Sequence, residues 1–203
     1  MKKILHIISS PRGEASFSIK LGKSIIEKIK AVYPENTVKE NILVNKQFPH
    51  LEEAQITSFF TPTENRTLQN IEALQHSDEL IKEIMEADIL VIGAPMYNFN
   101  IHSTLKAWID HIVRVGITFK YDENGPKGLL KGKKAYLAVA TGGISSEGPM
   151  KSYDFVTPYL QAVLGFIGIT DLTIIRAEGT SIPHTKDIAI ETAISRMVLP
   201  MVA

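Results

Sequence analysis

The chain has 203 residues, no cysteine, and 22 Lys plus Arg against 22 Asp plus Glu, a formal net charge of zero. That length suits one domain spanning residues 1–203, and neutrality leaves no global field to attract nucleic acid or an anionic membrane. Without cysteine there are no disulfides, thiolate nucleophiles, iron–sulfur clusters or thiolate zinc sites.

Met1-Lys2-Lys3 leads straight into Ile4-Leu5-His6-Ile7-Ile8, a short apolar run halted at Pro11 and Gly13 and read as strand one. The start carries no signal-type cleavage site, and no apolar run approaches the ~20 residues of a membrane helix, so a cytoplasmic protein is expected. From Ser18, Leu21, Ile25, Ile29 and Val32 recur at a four-residue step and line one helical face as far as Pro34. Thr37 to Val44 reads as strand two, and a polar, irregular stretch through Phe48-Pro49 runs to Pro62. A helix is expected over Thr63 to Met85, with Leu68, Ile71, Leu74, Leu80, Ile81 and Ile84 on its apolar side.

Ile89-Leu90-Val91-Ile92-Gly93-Ala94 is continuously apolar, as a central strand covered on both faces must be. Leu105, Trp108, Ile109, Ile112 and Val113 define the next helix, and the Gly-containing polar segment from Val115 to Lys133 is expected to be an irregular excursion. Ala135 to Ala140 is strand four, Phe155 to Ile167 a helix, Leu172 to Ala177 strand five, and His184 to Val202 a final helix. Strands separated by helices imply an α/β, doubly wound parallel sheet of five strands, order 2-1-3-4-5, with helices on both faces. Ligands of such sheets bind outside the carboxyl ends of the strands where the order reverses, here beside strands one and three with strand four adjacent.

Three loops reach that point. The first, Ser9 to Ser18, has neither a G-x-G-x-x-G nor a G-x-x-x-x-G-K-[ST] motif, but it is rich in hydroxyls. Ser10, Ser16 and Ser18 with the amides of a helix N-terminus suit a phosphate monoester, although Ser16 or Ser18 alone would equally serve as a helix cap. Arg12 adds a positive charge to this loop. The second, Pro95-Met96-Tyr97-Asn98-Phe99-Asn100, offers flat apolar contact from Met96, Tyr97 and Phe99 and polar partners from Asn98 and the backbone, as a flavin ring requires. In the third, Ala140 to Pro149, the paired glycines Gly142 and Gly143 let backbone N–H groups approach a ligand closely, although a plain flexible turn would have the same composition. The six histidines show no H-x-x-x-H or H-E-x-x-H spacing and no G-x-S-x-G elbow occurs, so neither a metal site nor a serine hydrolase is expected.

Ala94 to Ile101, Gly116-Ile117-Thr118-Phe119-Lys120-Tyr121 with Glu123-Asn124-Gly125-Pro126, Gly142-Gly143-Ile144, Thr157-Pro158-Tyr159-Leu160 and Leu164-Gly165-Phe166-Ile167-Gly168-Ile169 together resemble the FMN-dependent NADH-azoreductase family. The resemblance runs in order from Ile4 to Gly179 and implies a flavodoxin-like fold, a homodimer with FMN near the interface, and ping-pong two-electron transfer from NADH or NADPH to azo compounds or quinones. By the same resemblance Ser10, Ser16, Phe17 and Ser18 hold the ribityl phosphate, Pro95 to Phe99 the ring, and Ala140 to Gly143 its pyrimidine edge. Asn98, Tyr121 and Phe166 are then the residues expected at the reacting face. The chain departs from the family in having Ala140-Thr141 rather than Ser-Arg before the glycine pair, and Ser145-Ser146 where a histidine follows it. The alternative on the same fold is a non-enzymatic electron-transfer flavoprotein.

Overall fold

The computed structural model describes residues 1–46 and 49–198. Strands Lys2–Ile8 (β1), Asn36–Ile42 (β2), Ile89–Pro95 (β3), Lys134–Ala140 (β6) and Asp171–Ala177 (β7) form one parallel sheet in the order β2-β1-β3-β6-β7, the expected topology. Its register levels the carboxyl ends: Ile8 pairs with Gly93, Pro95 with Ala140, and Ala140 with Ala177. The loops that leave β1, β3, β6 and β7 therefore start from one plane.

Period-two alternation divides the core between two faces. Leu5, Ile7, Leu90, Ile92, Leu137 and Val139 point to one side, where they meet Trp108, Leu160 and Leu164. Those partners lie on helices Ser103–Ile112 (α4) and Thr157–Phe166 (α5), and Leu80, Ile81 and Ile84 of helix Leu68–Glu86 (α3) join the same cluster. Ile4, Val91, Tyr136 and Ala138 point to the other, against Leu21, Ile25 and Ile29 of helix Phe17–Val32 (α1) and Ala189 and Ala193 of helix Ala189–Ser195 (α7). A Cβ at Gly22 would come 2.5 Å from the buried His6 ring, so glycine is what lets α1 lie against β1.

Four expectations need correction. The stretch to Pro62 contains a helix, Glu53–Phe60 (α2), started by a reciprocal Glu52–Gln55 capping box too short to leave an apolar period; Phe48 lies outside the described residues. The long helix begins at Leu68 rather than Thr63, because Thr67 caps it and residues 63–65 form a separate turn. The segment from Val115 to Lys133 is not irregular throughout: Phe119–Asp122 (β4) and Gly125–Gly128 (β5) pair as a hairpin, with Asp122 accepting from the Asn124 amide and Gly125 at φ +102° closing it. The final helix is two pieces, Pro183–Lys186 (α6) and α7, parted where Ile188 N–H turns back to Thr185 O; the expected end at Val202 lies outside the described residues.

Candidate active site

The β1–α1 loop brings four serines to the carboxyl edge. Ser9, Ser10, Ser16 and Ser18 are all buried, at 0–2% exposure, although they sit in a loop and a first helical turn. Ser9 is spoken for, since its hydroxyl donates to Gly93 O at 2.7 Å and ties the loop to β3. Ser16 caps α1 by accepting from Ile19 N–H, and its hydroxyl lies 3.1 Å from that of Ser18. Both readings of Ser16 therefore coexist: it caps, and it keeps a hydroxyl beside the open amides of Phe17 and Ser18, which have no acceptor among the described residues. Orphan amides, hydroxyls and a helix dipole converging on one point make an anion seat. Arg12 borders the same space and has no acidic partner among the described residues.

After β3, Tyr97 and Asn100 exchange two backbone hydrogen bonds of 2.9 and 3.0 Å and close a tight turn. Its central residues, Asn98 at φ +48° and Phe99 at φ +69°, both occupy the left-handed region, which is strained for a residue as large as Phe99. The turn sends Asn98 and Phe99 outward and leaves the Asn98 side chain unbonded among the described residues. Met96 N–H donates to Ala140 O and extends the β3–β6 ladder by one step into the site.

The turn after β6 is laid against the chain after β7. Thr141 O accepts from Thr180 N–H at 3.1 Å, Gly142 O from Ser181 N–H at 3.0 Å and Gly143 O from Gly179 N–H at 3.0 Å. Thr141 also donates its hydroxyl to Gly143 O. With these carbonyls engaged, the amides of Gly142, Gly143 and Ile144 remain without an acceptor among the described residues. A Cβ at Gly142 would stand 2.9 Å from the Ser181 hydroxyl, so a larger residue here would require that hydroxyl to turn away.

These segments share a cleft of about 190 Å³ bounded by Arg12, Ser16, Phe17, Ser18, Pro95, Met96, Tyr97, Ala140, Gly142, Thr180 and Ser181. A second cavity of about 630 Å³ lies beyond Tyr97, with Pro11, Asn98, His102, Lys106 and Tyr159 on its walls. Its His102 accepts from Thr104 N–H through Nδ1 and is held below the ordinary histidine pKa by burial. Burial likewise pushes Tyr159 up to about 12, so its hydroxyl stays protonated. Thr180 and Ser181 belong to a fourth loop that the sequence reading passed over. Its signal was present, because the rule that ligands lie outside carboxyl strand ends applies to the fifth strand as well.

A family model described as flavodoxin-like fold matches residues 2–198. A curated FMN-dependent NADH:quinone oxidoreductase of Herminiimonas arsenicoxydans is 49% identical over 181 residues, 89% of each chain. The chain belongs to this flavodoxin-like family of oxidoreductases. The membership agrees with the resemblance carried by Met96 to Phe99 and Leu164 to Ile169. A second relative of the same name, from Rhizobium etli, is 42% identical over 97% of both chains. Among solved structures, the azoreductase of Bacillus anthracis strain Sterne superposes with a TM-score of 0.88 at 30% identity over 96% of each chain. The FMN-dependent NADH-azoreductase of the strain Ames Ancestor, solved in complex with FMN, gives 0.84 at 29% identity, covering 96% of this chain and 97% of that one.

Of the expected site residues, Ser10, Asn98, Phe99, Thr141 and Gly143 do not line this cleft, Asn98 bordering the second cavity instead, and Tyr121 and Phe166 stand well apart from it. The hairpin that carries Tyr121 is anchored through Leu129 N–H to Thr118 O and Leu130 N–H to Ile167 O, beside the entries to β6 and β7. That is the amino-terminal edge of the sheet. Phe166, at the end of α5, packs its ring 4.5 Å from Phe119, and Phe119 lies 5.6 Å from Tyr121. Tyr121 is 66% exposed and covers nothing in its own chain's cleft.

Proposed function

We propose that this chain is an FMN-dependent NAD(P)H oxidoreductase that reduces quinones and azo compounds by two-electron transfer, with residues 1–203 acting as one flavin-binding domain. The observation that carries the reading is the set of open donors bordering one cleft: two amides and two hydroxyls at the start of α1, and the Gly142 amide at the head of a turn whose next two amides, Gly143 and Ile144, are also without an acceptor among the described residues. One end suits a phosphate dianion and the other the electron-rich edge of a reduced ring, so the residues present fit the cofactor.

Bound FMN would supply a two-electron store, charged with hydride from NAD(P)H and discharged to the acceptor in a ping-pong cycle. The protein's part is binding and orientation. Ser10, Ser16, Ser18 and the Phe17 and Ser18 amides hold the phosphate; Pro95 to Phe99 bear the ring; Ala140 to Gly143 bind its pyrimidine edge. Asn98, free of internal partners, orients groups at the reacting face. Tyr121 and Phe166 cannot serve the cleft of their own chain, so their aromatic role requires a homodimer in which each copy lends its hairpin to the other's site, excluding water there. No helix among the described residues is long and apolar enough to cross a membrane. The need for NAD(P)H supports a cytoplasmic setting.

The test is direct. Purified protein should bind about one FMN per chain, sediment as a dimer, and oxidise NADH only when a quinone or azo dye is present beyond the slow reaction with oxygen. Protein that takes up no FMN, or holds it without catalysing acceptor reduction, overturns the reading.

A further inference from the structure

Glu178, immediately after β7, is absent from every sequence-level account of the site, yet its carboxylate has an unusual set of partners. Oε1 accepts from Ser145 N–H at 2.8 Å, Ser146 N–H at 2.8 Å and the Ser145 hydroxyl at 3.1 Å, while Oε2 accepts from the Ser146 hydroxyl at 2.5 Å. Four donors from two adjacent residues converge on one carboxylate, and no cation comes within ion-pair distance of it among the described residues. Arg176 and Arg196 border the same cavity as Glu178, along with Glu147. Arg176, however, gives Nη2 to Asp154 and Thr157, and its buried Nη1 has no hydrogen-bond partner among the described residues. Every hydrogen bond to the Glu178 carboxylate among the described residues therefore comes from the Ser145–Ser146 turn.

That turn is the continuation of Gly142-Gly143-Ile144, whose three amides have no acceptor among the described residues and whose Gly142 borders the cleft. The carbonyl bonds from residues 179–181 hold the first half of the loop, and Glu178 holds the second. We infer that Glu178 is a positioning residue: by pinning Ser145 and Ser146 it fixes the turn that sets Gly142 at the cleft and keeps the Gly142, Gly143 and Ile144 amides open. This rests on the proposed function above. Serines at 145 and 146 make the clasp stronger here than backbone alone allows, because each adds a hydroxyl to its amide. Burial pushes the carboxyl up, and the bonds from Ser146 and Ser145 outweigh it, holding Glu178 below the usual glutamate pKa.

The experiment uses the full chain, with and without FMN, as Glu178→Ala, as Glu178→Gln, and as the double variant Ser145→Ala/Ser146→Ala. Glutamine keeps one acceptor oxygen without the charge, and the double variant leaves Glu178 in place, so the question stays answerable if alanine at 178 impairs folding. Amide exchange at Thr141, Ser145 and Ser146, the hydrogen-bonded amides of this loop, should quicken about tenfold in the Glu178 variants and less in the double variant, with residues 9–18 unaffected. In FMN-loaded protein the bound flavin should become harder to reduce, and a tenfold loss of preference for the reduced form reads as a ~30 mV negative shift. If Glu178 acted only as a nearby negative charge, removing it would shift the potential the other way. Unchanged exchange at Thr141, Ser145 and Ser146, or a positive shift with the loop still protected, overturns the inference. Wild-type protein that binds no FMN overturns the proposed function instead, and exchange in the FMN-free protein then decides the positioning role by itself.

Discussion

The two ends of the sheet are built from the same strands and spend their backbone polar groups in opposite ways. At the amino-terminal edge the groups are used internally: Lys3 N–H donates to the Asp88 carboxylate, Asp88 N–H to Lys3 O, and Lys134 N–H to Asp88 O. Lys133 Nζ closes the end of α3 on Met85 O and Ala87 O at 2.9 and 2.6 Å, and Lys134 pairs with Asp171. At the carboxyl edge amides stay open after β1, β3 and β6, and buried serines keep hydroxyls aimed at the gap. An edge that satisfies itself contributes stability. An edge that leaves donors oriented and unused is held ready for a ligand, and the backbone strain at Asn98 and Phe99 falls on that side.

Substitutions on the two edges should therefore separate affinity from stability. The largest effect is expected from Ser16→Ala with Ser18→Ala. Two hydroxyls to a charged phosphate at ~1.5–3 kcal/mol each predict FMN binding weaker by at least ~100-fold, while loss of the Ser16 cap costs only ~1 kcal/mol of stability. Fluorescence titration of FMN against a urea melt reads both, and an unchanged affinity would remove the anion seat from the account.

Next is Tyr121→Ala, where the amino-terminal edge is expected to act on a partner's carboxyl edge. The kcat/KM for quinone or azo acceptors should fall about tenfold, with FMN affinity and urea midpoint near wild type. Steady-state kinetics beside sedimentation settles it: full activity in the variant, or in a monomer, would confine the hairpin to packing. Lys133→Ala should do the reverse and lower stability by ~1 kcal/mol with no change in FMN titration, since it removes only the closure of α3.

The smallest effect is in pH. His6 lies fully buried between β1 and α1, and burial, opposed by Glu40 and aided by Lys23, holds its pKa below the ordinary value. The unfolded chain therefore takes up the proton first, so stability is complete above about pH 6.5 and declines as pH falls through that value, by no more than ~1.4 kcal/mol per unit for one group. Urea midpoints between about pH 5 and 8 should slope less in a folded His6→Gln variant than in wild type.

Much of this architecture was legible along the chain. Ile89 to Ala94 announces a central strand because burial on both faces forces every position to be apolar, and all of β3 is buried. The Leu21–Ile25–Ile29 face of α1 and the Trp108 face of α4 could be read the same way. Helix α2 could not: it has eight residues, and its start depends on a capping box rather than an apolar stripe. The hairpin of β4 and β5 was hidden because its positions are mostly exposed and carry no alternation to detect.

The candidate site divides along the same line. Residue types alone marked the serines of the first loop, the Met96 to Phe99 turn and the glycine pair, because hydroxyls, flat side chains and bare backbone are each suited to one part of a flavin. Only the folded chain decided what those residues are tied to. Glu178 reaches Ser145 across 33 positions, and Ser9 reaches Gly93 across 84, because parallel strands in register bring distant segments to one plane. The same register adds Thr180 and Ser181 to the cleft and sends Tyr121 to the opposite edge. Periodicity records which face of an element is buried, and that is local; which loops meet depends on strand order, and that emerges only when the sheet closes its hydrogen bonds.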